Sequence, residues 1–100
     1  MIDPGGFPVE ADRLAQQLGV ELTLEGLERV QAALAAKRTD AMVVAAGCFA
    51  GEVLRRTAGG SWASDGTLVE VGAVAMTAPL AKARAGEDLV TYVRQVLAWA

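Results

Sequence analysis

Residues 41–54, AMVVAAGCFAGEVL, decide the fold. They are apolar on nearly every side, which is typical of a helix surrounded by other elements. Thr39 or Asp40 can cap the N-terminus of this helix, and Gly59-Gly60 can end it in a left-handed conformation. The apolar run is too short to span a bilayer. We therefore predict a central, buried helix and no membrane segment.

Small residues in this helix predict a close neighbour. Gly47 and Gly51 are spaced as in GxxxG, which signals dimerisation only inside a long membrane span. Two glycines inside a helix cost about 1–2 kcal/mol of helix propensity. We expect tight packing against another backbone to offset that cost.

Two helices precede the central one. Residues 1–8 contain two prolines and two glycines and are predicted to be an irregular arm. Apolar positions at helical spacing predict a helix over 9–18, and Thr23 is placed to cap a second one. Lys37 and Arg38 are expected in the last turn of that second helix, where they suit its dipole. These two helices are predicted to form a hairpin.

The periodicity changes after the central helix. Residues 61–64 and 67–71 flank Asp65-Gly66, which is a strong two-residue hairpin signal. Residues 73–77 are a plausible third strand. We predict a small three-stranded antiparallel sheet.

The chain is expected to close with helices. Pro79 suits the first turn of a short helix, and Glu87-Asp88 open a C-terminal helix that runs to about Trp99. A run of helices followed by a run of strands argues for an α+β fold. Residues 9–100 are therefore predicted to form a single α+β domain.

Composition excludes several classes of function. The chain has nine basic and twelve acidic residues, no histidine and one cysteine, and its net charge is −3. Overall charge argues against nucleic-acid binding, and the missing histidines exclude the usual triads and most zinc sites. We expect no cofactor, because no phosphate-loop or dinucleotide pattern is present. The N-terminus lacks the pattern of a secretory signal, so we expect a cytoplasmic address, and the composition suggests a bacterial source.

The candidate site lies at the end of the central helix. Glu52 stands three and four residues before Arg55 and Arg56, and Trp62 opens the first predicted strand. Such a carboxylate can clamp the helix end to the hairpin, or it can help to bind a small ligand or an anion. Cys48 is interpreted as a small buried hydrophobe, because no histidine exists to activate it.

Two larger groupings extend this site. A catalytic role for Glu52 would need a second acid or base, for which Asp65, Glu70 and Tyr92 are the candidates. A local anion site would need four basic residues to gather near one end of the sheet. Those residues are Arg55, Arg56, Lys82 and Arg84.

The segment GEVLRRTAGGSW (residues 51–62) resembles a set of small uncharacterised bacterial domains. These have a helix ending in G-E-V/I, a glycine turn, a tryptophan that opens a hairpin, and a proline followed by a K-x-R helix. The matching residues are Gly51, Glu52, Trp62, Pro79, Lys82 and Arg84. The resemblance implies that Glu52 and Trp62 form a structural junction, and it implies no activity.

These observations favour a non-enzymatic protein-interaction or accessory module with an unknown protein partner. The alternative is a small-ligand or anion-binding domain that uses Glu52, Arg55, Arg56 and Trp62. A small sheet has two open edges and much of the apolar content is alanine, so we also expect self-association as a homodimer. Neither nucleic acid nor membrane is an expected partner.

Overall fold

The computed structural model describes residues 6–62, 69–71, 75–77 and 79–99, with side chains over 9–59 and 79–98. The helices are α1 (Gly6–Leu18), α2 (Leu24–Ala36), α3 (Asp40–Ala58), α4 (Pro79–Arg84) and α5 (Leu89–Trp99). The short strands are β1 (Gly60–Trp62), β2 (Val69–Val71) and β3 (Ala75–Thr77). The molecule measures 34 × 28 × 24 Å along its principal axes.

Helix α3 is the centre of the molecule, as predicted. It packs against α1, α2, α4 and α5, and every residue over 46–54 is buried. The Thr39 hydroxyl accepts a hydrogen bond from the Met42 amide at 3.1 Å, which caps the N-terminus. Gly59 ends the helix at φ 77°, in the left-handed region that favours glycine.

The predicted α+β class is wrong, because the architecture is that of a helical domain. Wherever burial is described, each residue of the buried core lies on one of the five helices. Phe49, Leu27, Leu34, Leu54 and Leu89 are its largest fully buried apolar side chains. The alternating pattern of residues 61–77 forms strands of only three residues each, whereas the apolar faces of five helices assemble the described core.

The strands form a short antiparallel sheet that contacts α3 and α5. Each is three residues long, and β2 pairs antiparallel with both β1 and β3. Gly60 lies opposite Val71, and Val69 lies opposite Thr77. Strands this short lie at the lower limit of strand length in globular proteins. The expected Asp65-Gly66 turn lies outside the described residues.

Helix α1 begins earlier than predicted. It starts at Gly6, so Pro8 lies in the first turn of the helix. The predicted irregular arm had included residues 6–8. Proline is tolerated there because the first amides of a helix have no partner within the helix. Residues 1–5 of the predicted arm lie outside the described part of the chain.

The predicted position of Lys37 and Arg38 within the last turn of α2 is wrong, although Lys37 is the C-cap of that helix and its amide donates to the Ala33 carbonyl oxygen. Helix α2 ends at Ala36, so both residues follow it. The Arg38 guanidinium instead donates to the carbonyl oxygens of Ala83 at 2.6 Å and Arg84 at 3.4 Å. Arg38 therefore binds the last carbonyls of α4 and attaches the α2–α3 connection to that helix.

Helix α5 receives a comparable cap from a distant residue. The Gln31 side-chain carbonyl on α2 accepts a hydrogen bond from the Leu89 amide at 2.9 Å. Locally, Asp88 accepts one from the Thr91 amide at 3.0 Å. The N-terminus of α5 is thus fixed both by its own cap and by α2.

The close approach expected at Gly47 is confirmed, with α4 as the neighbour. A Cβ atom at Gly47 would lie 2.9 Å from the Cα of Leu80 and 3.3 Å from the carbonyl oxygen of Pro79. Real Cβ atoms are not found that close to backbone. The absence of a side chain at Gly47 therefore lets α4 pack directly on α3.

Candidate functional site

Glu52 is a fully buried charged residue, with 0% of its surface exposed. Its Oε2 atom lies 2.9 Å from Nε and 2.9 Å from Nη2 of Arg55, one turn further along α3. A carboxylate at this depth is retained only where charged hydrogen bonds replace its water. The pair of Glu52 and Arg55 expected from the sequence is therefore present, and its carboxylate is shielded from solvent.

Arg56 extends this pair to a second helix. Its Nε donates to the same Oε2 of Glu52 at 3.3 Å, and its Nη2 lies 3.6 Å from Oδ1 of Asp12 on α1. One guanidinium thus joins a buried carboxylate on α3 to an exposed one on α1. The arrangement acts as a clamp between α1 and the C-terminal half of α3.

The other predicted members of this site are only partly placed. Trp62 ends β1 and is paired with Val69, but its side chain and Asp65 lie outside the described residues. Glu70 is in β2, and its side chain is likewise outside them. Tyr92 is buried on α5.

Three of the four basic residues proposed for an anion site form ion pairs in the described part of the chain. Arg55 and Arg56 are engaged by Glu52, and Lys82 Nζ lies 3.2 Å from Oε2 of Glu87. Arg84 is exposed on α4. Three of the four cations therefore already have a carboxylate partner.

Cys48 is buried, with 0% of its surface exposed. Burial raises the pKa of its thiol to about 12, and the negative charges of Glu10 and Glu52 contribute to the increase. The thiolate is the nucleophilic form, so this cysteine is protonated and unreactive near neutral pH. The interpretation of Cys48 as a small hydrophobe is supported.

An open groove of about 550 Å³ lies between α1, the C-terminal end of α2 and the first turns of α3. It exists because α1 packs mainly on α3 and makes few contacts with α2. Its apolar lining combines buried Leu14 with half-buried Leu18, Ala33, Met42 and Ala45. The sequence pattern does not reveal this groove, because its apolar residues fit the core-facing pattern of their helices.

Charged side chains form the rim of the groove. Glu10 and Arg13 on α1 form an ion pair, with 2.9 Å between Oε1 and Nη1. Lys37, at the end of α2, is exposed and makes no ion pair with any side chain in the described ranges. One cation of the rim is therefore neutralised locally, and the other is available to a partner.

Comparisons with known proteins do not place the chain in a family. It matches no protein family, no curated protein and no solved structure. Its described residues contain no cluster of three or more potential metal ligands. Among the described helices, none has the length and apolar character needed to cross a membrane.

Proposed function

We propose that this protein is a non-enzymatic protein-interaction module, and that the groove between α1, α2 and α3 is its contact surface. The groove carries the proposal, because it joins an apolar floor to a charged, solvent-accessible rim. Protein interfaces combine an apolar centre with a polar rim in the same way. Met42 on the floor is an unbranched, flexible side chain of the type that adapts to partner surfaces.

The ion pairs of Glu52 support an architectural role for the site predicted at the end of α3. Oε2 of Glu52 is held by Arg55 and Arg56, and Arg56 also binds Asp12. A small anion at these guanidinium groups would have to compete with a carboxylate already in place. The groove is therefore the better-supported binding surface, and ligand binding at Glu52, Arg55, Arg56 and Trp62 is the less-supported alternative.

Two further features belong to the same proposal. A cytoplasmic address is consistent with the single cysteine, which cannot form a disulfide within the chain, since structural disulfides characterise oxidising compartments. We also propose that the protein forms a homodimer, because its composition is rich in alanine and its sheet is small. Neither feature is needed for the groove to bind a partner.

The test compares affinity captures made with three forms of the protein. Ala45→Arg places a long cation on the floor of the groove, and Ala32→Arg makes the same change at an exposed position of α2 outside it. The proposal predicts a partner recovered by the wild type and by Ala32→Arg, and lost with Ala45→Arg. Circular dichroism and denaturant unfolding check that both variants are folded.

The same capture experiment can contradict the proposal. Partners recovered equally by folded Ala45→Arg and by the wild type would exclude the groove as the contact surface. A small molecule that raises the melting temperature of the wild type, but not of Arg55→Ala, would favour the ligand-binding alternative.

A further inference from the structure

We infer that the groove binds an amphipathic helical segment of another protein whose apolar stripe is flanked by carboxylates. This inference rests on the proposed function, because it names the chemistry of the partner for the same surface. It draws on three observations: the length of the groove, its lining by helices, and the charge on its rim.

The length of the groove fits a short helical segment. Its wall on α1 runs from Glu10 to Leu18, which corresponds to about 12 Å of helix. Two turns of a partner helix have nearly that length and present apolar anchors at i, i+3 or i+4, and i+7. The groove volume of about 550 Å³ accommodates a few such side chains.

The lining of the groove excludes strand addition at this surface. Its described lining residues all lie on α1, α2 and α3 or in the turn between α2 and α3. Backbone groups within a helix already bond to one another, so they cannot pair with an extended peptide. Recognition here must use side chains, as in a helix docked into a groove.

The charge on the rim favours a partner helix with carboxylates beside its apolar stripe. It has two cations and one carboxylate, and that carboxylate is already bound to Arg13. The Arg13 side chain is 61% exposed, so its pair with Glu10 is weak and can rearrange around a new carboxylate. Lys37 faces solvent at the other side of the groove. An acidic partner therefore finds Lys37 and, once the Glu10 pair rearranges, Arg13, whereas a basic partner meets a rim whose net charge is positive.

The test uses three labelled peptides of about 16 residues, long enough to form a helix of roughly 24 Å. All three carry the same leucine stripe, and their flanking positions are glutamate, glutamine or lysine. Binding to the full chain is followed by fluorescence anisotropy. The glutamate peptide is expected to bind about twofold to tenfold more tightly than the glutamine peptide, and the lysine peptide more weakly than both.

Protein variants assign the binding to the groove. Lys37→Glu should reverse the order of the glutamate and lysine peptides, and added salt should reduce the difference between them. Ala45→Arg should abolish binding, while Ala32→Arg should leave it unchanged. If Ala45→Arg fails to fold, Ala41→Trp fills the groove from an exposed position and serves the same purpose.

The contrary outcomes separate the two proposals. Equal binding of all three peptides, lost on blocking the groove, would overturn the acidic preference and leave the groove as a contact surface. Failure of every peptide to bind through the groove would overturn the inference that the partner is a helix. The affinity captures would then test the proposed function independently. Self-association that is lost with Ala45→Arg would overturn the inference of a foreign segment. It would show that a second copy of the chain occupies the groove.

Discussion

The two halves of α3 serve different purposes. The half after Ala45 is buried throughout residues 46–54, and its one charged residue there, Glu52, is neutralised within the molecule. The half before Ala46 keeps Ala41, Met42 and Ala45 at the surface of a groove with a charged rim. The charge of Glu52 stabilises the fold, whereas the charge of Lys37, on the rim beside the N-terminal half, remains available to a partner.

The largest expected difference between the halves concerns apolar side chains. Phe49→Ala should lower the free energy of unfolding by about 3–5 kcal/mol, because it leaves a cavity in a fully buried site. Met42→Ala should cost less than about 1.5 kcal/mol, because Met42 is half-buried and the groove is already open. Denaturant unfolding measures both values, and similar losses would mean that the groove is part of the core.

Glu52 should show a smaller but still large effect. Glu52→Ala should cost about 2–4 kcal/mol, because it removes a buried carboxylate and its bonds to Arg55 and Arg56. Asp12→Ala is the matched control, since it removes the exposed partner of Arg56 and should cost less than about 1 kcal/mol. Both are measured by denaturant unfolding. A cost for Glu52→Ala no greater than that for Asp12→Ala would contradict the architectural role.

The effect with the narrowest range of conditions should appear only at alkaline pH. The pKa of Cys48 is raised from 9.0 to about 12 in the folded protein, so above pH 9 only the unfolded chain releases this proton. The stability conferred by the protonated thiol is complete below pH 9 and is lost as the pH rises toward 12. Within that interval the free energy of unfolding falls as the pH rises.

Cys48→Ala removes this titration and serves as the reference. Unfolding measured from pH 8 to pH 10.5 should show a steeper loss of stability for the wild type than for Cys48→Ala. Other groups titrate in both proteins and cancel in the comparison. Parallel pH dependence would show that the thiol is not held in its protonated form by the fold.

Local chemistry explains which parts of the fold were predictable from the sequence. Thr23 and Thr39 cap the helices that follow them, and Gly59 ends α3, because each of these functions depends on neighbours within a few residues. The Glu52–Arg55 pair was predictable for the same reason, since residues three apart share a helix face.

Long-range packing explains what could not be predicted. The position of Arg38 near the end of a helix suggested a dipole interaction with α2, yet its partners lie on α4. The fold class was misjudged because hairpin signals are visible locally, whereas the dominance of a helical core depends on how five helices assemble. The groove depends on the separation of α1 from α2, which neither helix encodes alone.

The caps provided by Arg38 and Gln31 restrict the length of the connection between α4 and α5. Arg38 binds the end of α4 across 45 positions of the chain, and Gln31 binds the start of α5 across 58. An insertion at residues 85–88 that displaced α5 relative to α4 would break the bond between Leu89 and Gln31, because Arg38 holds the end of α4 in place. A surface turn of the kind that normally varies freely in length is therefore held to a fixed span by side chains encoded far upstream.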